Sequence, residues 1–176
     1  FAVSSQMWSV CETLLMQFLF PHFYMAISNN DRIEQQRAYS NLINAIIPIY
    51  LLLLAVTLAC GGWAVAVLTN AKFHDAYEFA LYGAGIEWFR AMASLLSQAA
   101  QVTKRTAYVI MPYAMAGSVA IGGIFIASWM QTPITVVPIV LVAAGLVLLL
   151  TMGFQMNRIM FVDIKWCELL TMGLFS

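Results

Sequence analysis

Three ionisable side chains stand inside otherwise apolar stretches of this chain: Glu12, Glu87 and Arg90. Such a residue at membrane depth costs at least about 2.5 to 3.5 kcal/mol on insertion scales, so it faces a cavity or a partner. Glu87 lies one helical turn before Arg90 and can pair with it. At 100° per residue, Gly83, Glu87, Arg90, Ser94, Ser97, Gln98 and Gln101 share about a 100° arc of one helix. Ser5, Gln6, Ser9, Glu12, Thr13 and Gln17 fit within about 140° of another, with Met7, Cys11, Leu14, Leu15 and Phe18 on the remainder. Two polar faces on separate helices point to a shared hydrophilic cavity, and its lining is assigned to Gln6, Glu12, Gln17, Glu87, Arg90, Ser94, Gln98 and Gln101. In the alternative reading Glu87 and Arg90 only neutralise each other between packed helices.

Composition says what must carry those faces. Of 176 residues 62% are hydrophobic and 9% charged, with eight Lys plus Arg against eight Asp plus Glu. A soluble domain carries about 25% charged residues, so this chain has too little polar surface for a water-soluble particle and reads as an integral membrane protein. Zero net charge supplies no basic field for nucleic acid. No Asp, Glu, Lys or Arg occurs between Arg37 and Lys72 or between Arg105 and Arg158, and the second gap holds two crossings around the polar break Met130-Gln131-Thr132-Pro133. The expected fold is all-α, a polytopic bundle with helices at roughly 1 to 28, 40 to 69, 75 to 103, 106 to 129 and 133 to 157. Residues 1 to 160 form the bundle, and 161 to 176 a tail or truncated sixth helix. Strands are not expected, because open sheet edges cannot be satisfied in lipid and the apolar runs far exceed the roughly 10 residues of a barrel strand.

Local signals refine the helices. Asp75-Ala76-Tyr77-Glu78 has capping-box spacing. Pro21, Pro48, Pro112 and Pro138 fall within helices, where kinks or local unwinding are expected. Ala114, Ser118 and Gly122 make a small-residue stripe suited to close helix packing. Both chain ends lie in apolar segments, so the sequence reads as part of a longer protein.

Counting Lys and Arg near helix ends orients the bundle. Arg32, Arg37, Lys104, Arg105, Arg158 and Lys165 fall on one side and Lys72 on the other, which places the six at the cytoplasmic face. Arg32, Glu34 and Arg37 read as a solvated cytoplasmic loop, and Trp63 and Trp129 as interface anchors. His22 reads as interfacial and His74 as solvated, too far apart for a bis-histidine haem site. Cys11, Cys60 and Cys167 are widely spaced with no CxxC pattern, so neither a disulfide framework nor a zinc site is indicated. No nucleophile and base stand at a recognisable spacing, and neither a Gly-rich phosphate loop nor a paired acidic metal motif is present. The expectation is a conduit or carrier rather than an enzyme, without a cofactor.

The order of features resembles a known family. A polar-faced helix ending in Phe18-Leu19-Phe20-Pro21, the charged segment Asp31-Arg32-Ile33-Glu34 and a Pro-containing apolar helix are similar to the second half of oligosaccharide flippases. These belong to the multidrug/oligosaccharidyl-lipid/polysaccharide exporter superfamily. Phe73-His74-Asp75-Ala76, Glu87-Trp88-Phe89-Arg90 and the run Ser97-Gln98-Ala99-Ala100-Gln101-Val102-Thr103-Lys104-Arg105-Thr106 are similar to that family's segment entering the next cytoplasmic turn, and the likeness covers about residues 1 to 160. By that alignment the five helices are the eighth to twelfth of 12 or 14, and a preceding lobe is missing.

The resemblance implies a multi-pass protein of the bacterial inner membrane that moves an undecaprenyl-diphosphate-linked glycan across the bilayer by alternating access, for surface polysaccharide biosynthesis. It implies as partners membrane lipid, that glycan and the missing N-terminal lobe or partner helices. Arg90 would attract the diphosphate or an acidic sugar, Glu87 would hold Arg90 and exchange protons, and Gln6, Gln17, Gln98 and Gln101 would hydrogen-bond hydroxyls. Three rival readings stand: a drug or cation antiporter of the same superfamily, a structural transmembrane subunit of a larger complex, and a membrane enzyme acting on lipid-linked substrates, which would need a catalytic constellation that the sequence does not display. A dominant acid without a basic partner favours the antiporter, and the Glu87–Arg90 pair argues against it.

Overall fold

Hydropathy and helix propensity together dictate long helices here, and the computed structural model, which describes residues 2–27, 32–68 and 77–160, shows five among them. They are α1 (Ala2–Ile27), α2 (Arg32–Leu68), α3 (Tyr77–Val102), α4 (Ala107–Trp129) and α5 (Val136–Ile159). Four are long and apolar enough to cross a membrane, over Trp8–Ile27, Arg32–Trp63, Ala107–Trp129 and Val136–Ile159. The chain is therefore a helical membrane protein. At 26 residues α3 has the length for a crossing, about 39 Å at 1.5 Å per residue. Its polar face keeps it below the apolarity of the other four.

α3 is the hub. It packs along α5 and α2 and more lightly on α1, while α4 lies on α5 and α1 on α2. Small side chains explain that centrality, since Ala84, Ala91, Ala93, Ala99 and Ala100 are all buried and let neighbouring backbones come close. Around them gather Trp8, Phe20 and Phe23 of α1, Tyr39, Ile43, Ile46 and Tyr50 of α2, and Leu148, Met152 and Met156 of α5. Gly145 of α5 admits the Phe89 ring of α3, because a Cβ there would stand 3.0 Å from it. Leu14, Phe18, Leu52, Ile121, Phe125 and Leu150 point outward, as lipid-facing residues should. Trp63 and Trp129, expected at the interface, are also exposed and sit toward the C-terminal ends of α2 and α4.

The two described connections end their preceding helices alike. After α3, Arg105 N–H donates to Ala100 O at 2.8 Å and Lys104 N–H to Gln101 O at 3.1 Å. After α4, Thr132 N–H donates to Ala127 O and Gln131 N–H to Ser128 O. Each is a Schellman closure, which requires a left-handed residue at its turn. Lys104 at φ 56° and Gln131 at φ 49° fill that role.

Three expectations change. α2 begins at Arg32 rather than near residue 40, so Arg32, Glu34 and Arg37 are helical, not loop, although their side chains are exposed. Thirty-seven residues span about 55 Å against a hydrocarbon core of about 30 Å, so α2 outreaches the bilayer. The stripe Ala114, Ser118 and Gly122 does not mediate packing within the described bundle. Ala114 and Ser118 are exposed, and a Cβ on Gly122 would meet nothing within 4 Å. The face of α4 against α5 is Ala116, Gly123 and Ala127, with Gly123 directly on Val140. The helices also continue through Pro21, Pro48 and Pro112 without unwinding. Pro138 lies in the first turn of α5, where its missing N–H is not needed. Asp75, Ala76, His74, Lys72, Cys167, Lys165 and the segment 161 to 176 lie outside the described residues.

Candidate functional site

The polar arcs of α1 and α3 meet at one point. Arg90 Nε donates to Glu87 Oε2 at 2.7 Å along α3, and Arg90 Nη2 donates to Glu12 Oε2 of α1 at 2.9 Å. The first pair was expected from the i, i+3 spacing. The second is new, because the sequence placed Glu12 on a polar face without a partner. The guanidinium thus bridges two helices and two carboxylates, for a formal charge of −1.

Exposure is uneven across this triad. The side chains of Glu12 and Glu87 are 15% and 11% exposed, whereas that of Arg90 is 46% exposed. The carboxylates are fixed from below and the guanidinium is reachable from the open side. Arg has five N–H donors in a fork that suits phosphate and carboxylate groups. With Nε and Nη2 engaged, Nη1 has no partner among the described residues. An anion can therefore reach Arg90 without first displacing both acids.

Packing on α2 backs the triad. Tyr50 is buried, lies in edge contact with Trp8 at 5.7 Å between ring centroids, and is near enough to Glu12 and Arg90 to feel both charges. Tyr39, also buried, donates its hydroxyl to Leu96 O at 2.9 Å and ties α2 to α3. Neither tyrosine was singled out in the sequence. A tyrosine two residues after Arg37, and another eleven further on, on the same helix, are the signals available.

The other expected site residues are distributed. Ser94 is half-buried on α3, and its carbonyl accepts the Ser97 hydroxyl at 2.7 Å. Gln98 is buried, and its Oε1 has no hydrogen-bond partner. Trp8 Nε1, one turn before Glu12, and Trp88 Nε1, next to Glu87, are buried and unpartnered as well. Gln101 is exposed and, with Ser97, lines a depression of about 690 Å³ shared with Ile110 and Tyr113 of α4. Gln6 and Gln17 are exposed on α1, as are Ser9 and Thr13, whose hydroxyl is turned back to Ser9 O at 2.7 Å. The structure brings Glu12, Glu87 and Arg90 into direct contact. It leaves Gln6 and Gln17 on the outer polar strip of α1, and Gln98 and Gln101 two and three turns along α3 from Arg90.

No protein-family model, curated protein or solved structure matches this chain. Its chemistry must be argued from its own side chains. The triad can hold and release an anion at Arg90, take a proton or cation on the surplus carboxylate, and offer amides and hydroxyls to a polar ligand along α3. Among the described residues, no group of three His, Cys, Asp or Glu side chains is placed to hold a metal ion.

Proposed function

We propose that this chain is one lobe of a bacterial inner-membrane flippase that carries a lipid-linked oligosaccharide across the bilayer, with the Glu12–Arg90–Glu87 triad as its charged centre. The observation that carries the reading is the bridging guanidinium, held on two nearly buried carboxylates yet itself 46% exposed. A charge kept at this depth is expensive unless it is used. The family resemblance of residues 1 to 160 supports the same conclusion, and it has α3 crossing the membrane as the other four helices do.

On this reading a competition operates the site. Arg90 Nη2 serves either Glu12 or an oxygen of the polyprenyl diphosphate. While Glu12 is ionised, the site carries one surplus negative charge and repels a diphosphate. A proton or small cation on Glu12 removes that charge and frees the guanidinium arm, so binding of the glycan lipid is coupled to an ion. Glu87, along the same helix at 2.7 Å, keeps Arg90 positioned in both states. Exposed Gln101 then offers its amide group to sugar hydroxyls, and the exposed strip of Gln6, Ser9, Thr13 and Gln17 meets the other lobe across the cavity. The six basic residues mark the cytoplasmic side.

The test is replacement of Arg90 by Ala in the full-length protein within its native host, with surface glycan and lipid-linked precursor measured together. Loss of surface glycan with accumulation of the precursor is expected, and Glu12→Gln should uncouple transport from the ion gradient. Normal glycan at normal expression of the Arg90→Ala protein overturns the reading.

A further inference from the structure

At the end of the bundle away from Trp63 and Trp129, a polar cleft of about 600 Å³ is lined by Arg32 of α2, Lys104 and Arg105 of the α3–α4 turn, and Arg158 of α5. These four cations come from three parts of the chain that are distant in sequence. No carboxylate among the described residues lines the cleft. Four like charges lining one cleft repel one another, and an anion among them relieves that repulsion.

A second opening is joined to the first. A groove of about 530 Å³ between α4 and α5 shares Arg105, Arg158 and Ile159 with the cleft. It continues past Tyr108, Met111 and Met115 on α4 and Thr151 and Phe154 on α5. Residues 108 to 115 cover about 10 Å of helix at 1.5 Å per residue, running from the helix ends toward the membrane centre. Arg158 is held at the junction, with its guanidinium carbon 4.3 Å from the centre of the Phe154 ring. A cationic cleft at headgroup depth thus opens into an apolar groove at acyl-chain depth.

We infer that this composite site binds an anionic glycerophospholipid of the leaflet at that end, with its phosphate among Lys104, Arg105, Arg158 and Arg32 and one acyl chain along Met111, Met115 and Phe154. Basic pockets between transmembrane helices suit phosphate headgroups, and arginine forks match phosphate oxygens. A free phosphate would leave the groove empty, and a zwitterionic lipid would leave the cleft with its net charge. The inference needs only that the chain is a membrane protein, and it stands apart from the triad of α1 and α3.

The experiment uses the purified, delipidated full-length protein, titrated with dioleoyl phosphatidylglycerol and with dioleoyl phosphatidylcholine, with bound lipid counted by native mass spectrometry. Phosphatidylglycerol should bind at least about tenfold more tightly. Each basic side chain near an anionic headgroup is worth roughly fivefold in affinity, so Arg105→Gln with Arg158→Gln should weaken phosphatidylglycerol binding roughly thirtyfold. Arg105→Lys with Arg158→Lys should retain most of it, and Arg37→Gln, outside the cleft, should change nothing. Met115→Trp, which fills the groove, should weaken binding while every charge remains. Equal affinity for the two lipids overturns the inference without recourse to any variant. So does a double Gln variant that binds like the parent, or inorganic phosphate binding as tightly as phosphatidylglycerol. Polyprenyl diphosphate taken up where phosphatidylglycerol is refused would assign the site to a transported lipid and overturn it too.

Discussion

Arg90 and Glu12, 78 positions apart, meet at 2.9 Å across the α1–α3 interface, and the same guanidinium holds Glu87 at 2.7 Å. One cation answering two acids makes the three positions unequal. Removing Arg90 leaves two nearly buried carboxylates facing one another, whereas removing the charge of Glu12 leaves a balanced pair. Breaking a fully buried pair costs about 3 to 5 kcal/mol, but Arg90 is half in the open and water screens its share. Arg90→Ala should therefore destabilise the protein by about 1 to 2 kcal/mol and Glu12→Gln by less. In a double-mutant cycle Glu12→Gln should offset part of the Arg90→Ala loss. Thermal unfolding in detergent reads the ranking. Glu12→Gln at least as damaging as Arg90→Ala would refute the surplus-acid account.

Tyr39 tests how firmly α2 holds the hub. Its ring is fully buried and its hydroxyl donates to Leu96 O at 2.9 Å. Tyr39→Phe keeps the ring and deletes the bond, and Leu96 O retains its own helical partner, so no acceptor is orphaned. A loss of about 1 kcal/mol is expected. Tyr39→Ala should cost about 3 to 5 kcal/mol through the cavity it opens. If Tyr39→Phe melts with the parent, the bond contributes nothing to α2–α3 docking.

These contacts also show how far sequence reasoning reaches in such a chain. The charge gap from Arg105 to Arg158 placed α4 and α5 and the turn at Met130, because no membrane helix tolerates a polar, proline-bearing break unpartnered. α2 starts ahead of its apolar stretch for a physical reason. Hydropathy marks where lipid ends, but Arg32, Glu34, Gln35, Gln36, Arg37 and Ala38 are good helix formers, so the hydrogen-bond ladder continues beyond the lipid. The polar arcs around Glu12 and Glu87 were legible from the 100° rotation alone. Their meeting was not, because it depends on the axial offset of α1 against α3, which no spacing within either helix encodes. The packing face of α4 is hidden in the sequence for a related reason. Ala114, Ala116, Gly117, Ser118, Ala120, Gly122 and Gly123 are small on nearly every side, so the spacing alone could not select the row that meets α5.

Adjacent glycines on α4 give a sharp contrast. A methyl group on Gly123 would collide with Cγ1 of Val140, while one on Gly122 meets nothing within 4 Å. Val140 is β-branched and has little rotamer freedom within a helix, so α4 and α5 must move apart. Overpacking costs about 1 to 3 kcal/mol, against a gain of up to about 1 kcal/mol for Ala over Gly in a helix. Gly123→Ala should lower the melting temperature and Gly122→Ala should leave it level or raise it. Adding Val140→Ala to Gly123→Ala should recover part of the loss. Equal behaviour of the two single variants would place the α4–α5 contact on another face.

Gln131 closes α4 in the left-handed region at φ 49°, where a side chain costs about 1 to 2 kcal/mol that glycine avoids. Gln131→Gly should therefore raise stability by up to about 1 kcal/mol, and Gln131→Val, whose branched Cβ suits that conformation least, should lower it. Unfolding midpoints of the two variants decide between a strained closure and an indifferent one. Lys104 has the same geometry at φ 56° but also lines the basic cleft. Lys104→Gly should consequently raise the unfolding midpoint as Gln131→Gly does, yet weaken phosphatidylglycerol binding where Gln131→Gly leaves it unchanged. A lysine kept in a conformation glycine holds more easily would then be explained by the anion it faces. If Lys104→Gly gains stability and still binds the lipid fully, the lysine has no part in the cleft.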